Sequence, residues 1–291
     1  MIGTNRTKDT NGGDSVKIAC HAVLFGEEIK TNTDQVLAKL ASTGAEGIEL
    51  GARFFGSEES DKLKENLKAY GLELSGYHMV VRLTDFVDDP EKCRAALQKG
   101  ADFLRVMPHK NIIMTGMIDI EKADDSDLGD GRLLDADFLE RMAGAIDREA
   151  QRLWTEYGVR LHYHNHSWEW KKQACIYEAL LIHTTTLYFA MDIGWTAVSG
   201  FEPVEWLKKM RDRVRYLHLR DYKKEAITLP TFAQIRESYV ELGDGDMDYP
   251  GFMAEVKKLL PEDTWLVVEY ETGEVNEIRY QKAISKLQTF L

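Results

Sequence analysis

The chain has 291 residues, enough for one large α/β domain or two small ones. With 44% hydrophobic and 30% charged residues its composition is that of a globular protein, and no apolar run approaches the length of a membrane span. The net charge of −12 disfavours a large nucleic-acid footprint, which rewards clustered Lys and Arg; Cys20, Cys93 and Cys175, odd in number and in no C-x-x-C spacing, read as reduced thiols of a cytoplasmic protein.

Residues 1–15 are rich in Thr, Asn, Gly and Asp and lack the apolar core of a signal peptide, so a flexible N-terminal arm is expected before a domain over 16–291. Strand-like segments are expected at 16–23, 47–50, 72–78, 103–107, 159–164, 187–192, 214–219 and 265–269. Helical patterns follow them at 33–42, 58–70, 89–99, 135–157, 176–182, 203–210, 249–260 and 276–290. Thr33 or Asp34 can cap the first helix, Gly71 stops the second, Gly100 is expected to close the third, and Pro203 suits a first-turn position. Residues 109–133 are less regular, and the acidic stretch 124–131 reads as a surface insertion, with a solvated loop, a lid or an oligomer contact all open. Eight alternating units predict a (β/α)8 barrel. An open doubly wound sheet would carry a glycine-rich phosphate turn after its first strand, and none stands there.

The ionisable residues then fall at one set of strand ends: His21, Glu49, His78, the run His164–Glu169, Asp192, His218 and Glu269, with Arg105 and His109 flanking the expected fourth strand. In a barrel those ends form the catalytic rim. The fifth segment, V-R-L-H-Y-H-N-H-S-W-E-W over 159–170, alternates His162, His164 and His166 on one strand face. Three histidines within five positions, in a chain with eight in all, is a concentration that a polar loop does not explain. Glu169, Asp192, His218 and Glu269, from four successive strands, make the best metal set, three carboxylates and one imidazole for a hard or borderline cation. With no thiolate among them, a structural zinc site is disfavoured.

Y-H-N-H-S-W-E-W (163–170), A-M-D-I-G-W (190–195), Y-L-H-L-R-D-Y (216–222), L-G-D-G-D-M-D-Y (242–249) and V-V-E-Y (267–270), in this order, resemble the sugar phosphate isomerase/epimerase family. This is the xylose isomerase-like TIM-barrel superfamily. The resemblance implies one divalent ion, Mn²⁺ first and Mg²⁺, Co²⁺ or Zn²⁺ as alternatives, on Asp192, His218, Glu269 and a strand-five ligand. For the last, Glu169 is expected in place of the position His162 occupies. Relatives of the endonuclease IV type carry a metal-binding histidine where this chain has Trp195, so DNA repair is disfavoured.

The activity implied is isomerisation or epimerisation of a sugar or sugar phosphate, by proton transfer beside a carbonyl through a metal-stabilised enediolate. The first alternative is a dehydratase or 3-keto-glycoside lyase of the inosose dehydratase type; the second is a non-catalytic sugar-binding barrel. In this reading Glu169, Glu269 and His164 do the acid–base work. His78, Asn165, His166, Trp195, Arg220 and Glu49 bind substrate, with Lys223 as an alternative anion contact and Trp168 as a further stacking surface. Phe25 is expected to be ordinary packing. The partner is a small sugar or cyclitol, with no nucleic acid and no membrane; homo-oligomeric assembly is left open.

Overall fold

A computed structural model describes residues 16–119 and 128–291. The expected arm and residues 120–127, which include the start of the acidic stretch, lie outside the described residues. Eight parallel strands close into a barrel in chain order. They are β1 (Lys17–His21), β2 (Gly47–Gly51), β3 (Glu73–Arg82), β4 (Asn111–Met117), β5 (Arg160–His164), β6 (Tyr188–Asp192), β7 (Val214–Leu219) and β8 (Trp265–Val268). β1 pairs with β8, Lys17 opposite Trp265, so the two ends of the chain meet in one hydrogen-bonded seam. Among the described residues no helix is long and apolar enough to cross a membrane.

Side-chain alternation sorts the strands into two cores. Ala19, Ile113, Ala190, Tyr216, Trp265 and Val267 fill the barrel, while the larger cluster lies between strands and helices. The helix Ala136–Tyr157 shows the local logic. Asp135 caps it by accepting from the Phe138 N–H, Gly158 ends it in the left-handed region, and Phe138, Met142, Ile146 and Leu153 are buried along it.

One expected unit is corrected. Residues 103–107 are not a strand: the helix Pro90–Leu104 runs through Gly100, and Phe103 and Leu104 are fully buried on it. Gly100 is a packing glycine, because a Cβ there would lie 2.5 Å from Met79 Sδ. The fourth strand is N-I-I-M-T-G-M at Asn111–Met117, inside the segment expected to be irregular. Arg105 and His109 therefore precede the strand. His109 Nε2 lies 3.0 Å from Glu73 Oε2, at the start of β3 and the opposite end of the barrel from the rim.

Candidate active site

The register brings the strand ends level. His21 pairs with Glu49, Thr115 with His164, and Asp192 with His218. Above them is a cavity of about 630 Å³, with His21, His78, Thr115, His166, Glu269 and Phe232 among its walls. Its size is that of an ordinary small-ligand site.

Four buried side chains converge below it: His164, Asp192, His218 and Glu269 each offer a ligand atom, and these atoms lie within 4.8 Å of one another. Both nitrogens of His164, Nδ1 of His218 and Oε2 of Glu269 have no hydrogen-bond partner. Leaving a buried polar atom unpaired costs about 1–3 kcal/mol, so the two bare nitrogens of His164, beside the His218–Glu269 ion pair, call for a missing partner. His218 Nδ1 and Glu269 Oε2 lie 2.9 Å apart without the alignment of a hydrogen bond, as two atoms facing a common third one would. Two imidazoles and two carboxylates fit a borderline divalent cation.

The charges are consistent with that fit. Burial, with His218 and His166 nearby, holds His164 well below the usual histidine range, so its lone pair is available. Burial opposes a charge on His218, yet Glu49 and Glu269 push its pKa up to about 10. Burial pushes Asp192 up to about 6 against the pull of Arg220. The Arg220 guanidinium donates from Nε to Asp192 Oδ2 at 2.7 Å and also meets Glu269, at 2.8 Å, and Glu271. In this state a proton on His218 and the Arg220 side chain partly offset the buried carboxylates Glu49, Asp192 and Glu269.

Glu169 is not brought to this group. Its Oε1 accepts from the Tyr163 hydroxyl at 2.9 Å and its Oε2 from the His166 N–H at 2.7 Å, with the side chain fully buried. Tyr163 alternates with His162 and His164 and faces outward, and the turn Trp168–Trp170 carries Glu169 back behind β5. Burial there pushes its carboxyl up to about 8. His164 stands in the group in its place. His162 lies deeper in the barrel, its Nε2 3.1 Å from Asn111 Oδ1.

Several expected substrate contacts are spent elsewhere. Asn165 clamps the Asp192 backbone, accepting from its N–H at 3.0 Å and donating to its carbonyl at 3.2 Å. Trp195 is fully buried behind Phe232, their rings stacked with centroids 4.9 Å apart. Arg220 is committed to three carboxylates, as described above, and Lys223 is exposed and outside the cavity walls. His78 lines the cavity, but both nitrogens are engaged, Nδ1 with Glu49 at 2.6 Å and Nε2 with Thr115 at 2.7 Å. Glu49 is fully buried and meets His21, His78, Tyr216 and His218.

His166 does reach the cavity. Its ring stacks on Trp168 at 4.5 Å, and Trp168 in turn donates from Nε1 to the Gly116 carbonyl. Phe25 packs on Tyr280, as expected of a rim aromatic.

Two residues escaped the sequence reading. Phe232 opens a short helix, Phe232–Ser238, with no strong apolar period to announce it. Asp221 is buried, and its carboxylate accepts from the N–H groups of Tyr222, Gly243, Gly245 and Met247. That cradle accounts for the L-G-D-G-D-M-D-Y motif, since a Cβ on Gly245 would sit 1.9 Å from Asp221 Oδ1.

The chain is similar in sequence to known enzymes. The chain is 27% identical over 252 residues to an inosose dehydratase of Geobacillus kaustophilus, covering 82% of this chain and 80% of that one. It is 27% identical over 278 residues to an inosose dehydratase of Mesomycoplasma hyopneumoniae, covering 89% and 88%. Among solved structures, a sugar phosphate isomerase/epimerase from Parabacteroides distasonis superposes with a TM-score of 0.73 at 19% identity, over 99% of this chain and 98% of that one, a likeness of fold. The dehydratase relatives overturn the expectation of an isomerase or epimerase and point to a lyase. The family model for the xylose isomerase-like TIM barrel matches residues 37–290, and the chain belongs to that family.

Proposed function

We propose that the protein is a metal-dependent dehydratase of a polyhydroxylated cyclic ketone of the inosose type. The observation that carries this reading is the group of four buried ligand side chains, with unpartnered atoms, under a cavity of ligand size. The dehydratases at 27% identity supply the direction, loss of water.

A divalent cation on His164, Asp192, His218 and Glu269 would supply a Lewis acid that polarises the ketone and acidifies the neighbouring C–H. Two imidazoles favour Mn²⁺, Co²⁺ or Zn²⁺ over Mg²⁺, which prefers oxygen and water. Of the four residues, Glu269 is the one that also lines the cavity. Burial would raise its pKa, but Arg220, His21 and His218 hold it well below the ordinary carboxylate range, so it is ionised and able to take the proton.

The electron pair left on carbon forms the new C=C bond as the C–O bond to the β-hydroxyl breaks. The departing hydroxide needs one proton, and the proton taken by Glu269 completes the water. His166, kept neutral by burial and Arg220 and with Nδ1 unpartnered, accepts a hydrogen bond from a substrate hydroxyl. Phe232 and Trp168 give the wall an apolar face for ring C–H groups.

The test is to strip the protein with a chelator, reload it with Mn²⁺, Co²⁺ or Zn²⁺, and offer an inosose. A conjugated ketone absorbing in the ultraviolet should form only in the reloaded protein. A metal-loaded protein that leaves every inosose unchanged would sink the reading.

A further inference from the structure

The geometry points to Glu49 as a positioning residue: a buried anion enclosed by His21, His78, Tyr216 and His218, which fixes the proton on Nε2 of His218 and so turns Nδ1 toward the cation group. The inference rests on the reading of His164, Asp192, His218 and Glu269 as cation ligands. It also assigns the neighbouring His21–Glu49–His78 cluster to hydrogen bonding and not to a second ion.

A carboxylate has about four lone-pair sites. Glu49 Oε1 faces His78 Nδ1 at 2.6 Å and His21 Nε2 at 3.1 Å, and Oε2 faces the Tyr216 hydroxyl and His218 Nε2, each at 2.7 Å. Three aligned donors hold Glu49, and the His21 Nε2–H, shared between Glu49 and His78 Nδ1 at 3.2 Å, crowds the remaining site, which leaves little room for a substrate hydroxyl or a metal ion. The Tyr216 contact is built in, because Gly76 on β3 leaves the room: a Cβ there would lie 2.7 Å from the Tyr216 hydroxyl oxygen.

His21 fixes the sense of the network. Its Nδ1 lies 3.0 Å from the backbone nitrogen of Val23, and a backbone N–H can only donate. That lone pair is used, so the ring proton of a neutral His21 is on Nε2, between Glu49 Oε1 at 3.1 Å and His78 Nδ1 at 3.2 Å. His21, Glu49 and His78 offer three atoms at ligand spacing. Ligation through His21 Nε2 would need a ring with no proton at all, and the geometry therefore speaks against an ion there.

His218 gains what His21 loses. With Nε2–H donated to Glu49, the nitrogen that can become a bare lone pair is Nδ1, which has no hydrogen-bond partner and lies beside Glu269. A carboxylate on the remote nitrogen is the usual device for holding a ligating imidazole in one tautomer and orientation.

Two measurements test this. In ¹⁵N-histidine NMR spectra of the wild-type protein, His21 should be protonated at Nε2 with and without Zn²⁺, and His218 in the Zn²⁺-loaded protein at Nε2 alone. In calorimetric titration with Zn²⁺, Glu49→Gln should lower affinity about 10–100-fold at unchanged circular dichroism, because a Gln side chain offers one acceptor oxygen to four donors. Wild type, E49Q and His21→Ala should each saturate at one ion per chain.

Wild-type affinity in E49Q, an Nδ1–H signal from zinc-loaded His218, or a second ion lost in H21A would each overturn the assignment. The wild-type tautomers decide the matter even if E49Q fails to fold. If wild-type protein took up no Zn²⁺, the proposed function would fall, while the Nε2–H of His218, present in wild type and shifted in E49Q, would still test the role of Glu49.

Discussion

The two halves of the rim use the same residue types in opposite ways. On β1–β4, His21, Glu49, His78 and Thr115 close on one another. On β5–β8, His164, His218 and Glu269 leave nitrogens and an oxygen without partners. Titratable residues gathered at strand ends do not by themselves mark a ligand site; the difference lies in whether their hydrogen-bonding capacity is already consumed. The first half is a support and the second half is a receptacle.

The largest effect expected on that contrast is from Glu269→Gln. It removes the base and a cation ligand together, and turnover of an inosose should fall at least 10²–10⁴-fold, measured at saturating Mn²⁺. Next comes a paired experiment on β5. His164→Ala should lower metal affinity by more than the roughly 10–100-fold of an outer-shell change, whereas Glu169→Gln should keep the wild-type metal content by elemental analysis. Equal losses in the two variants would put Glu169 back among the ligands.

A smaller effect is expected at the loop that supports β7. Gly245→Ala forces a Cβ into Asp221 and should cost about 1–3 kcal/mol of stability in denaturant unfolding. The last is a slope with pH, spread over several units. Glu169 has a folded pKa of about 8 against an ordinary value of 4.5, so the folded chain binds the extra proton between those values. Its contribution is complete below about pH 4.5 and is lost as pH rises toward 8, with a slope of at most about 1.4 kcal/mol per pH unit. Urea midpoints of E169Q should lack that decline.

What could be read in the sequence follows from how the backbone works. Asp192, His218 and Glu269 end short apolar strands, and a strand end has one place to go in a parallel barrel. Glu169 lies beyond the strand, in a turn whose direction depends on Tyr163 and His166, partners no spacing rule reveals. His164 was read as catalytic because its neighbourhood is rich in histidine; its place among the converging four needed the outward placement of Glu169. Asn165 and Arg220 were found as polar residues near the site, yet their polar atoms are committed to Asp192, and in the case of Arg220 also to Glu269 and Glu271. The fourth strand was displaced because Gly100 looked like a helix stop, when its neighbour Met79 requires a glycine.

The seam between β1 and β8 bears on the order in which the molecule is made. The Tyr280 hydroxyl, on the helix after β8, donates to the carbonyl of His21 at 2.6 Å, so the first strand is fastened by a residue 259 positions later in the chain. A chain leaving the ribosome carries His164, Asp192 and His218 well before Glu269, and Glu49 waits throughout for a strand that arrives late. Stable loading of the proposed ion thus waits until β8 has joined the barrel, and a chain cut short before residue 265 would lack Glu269.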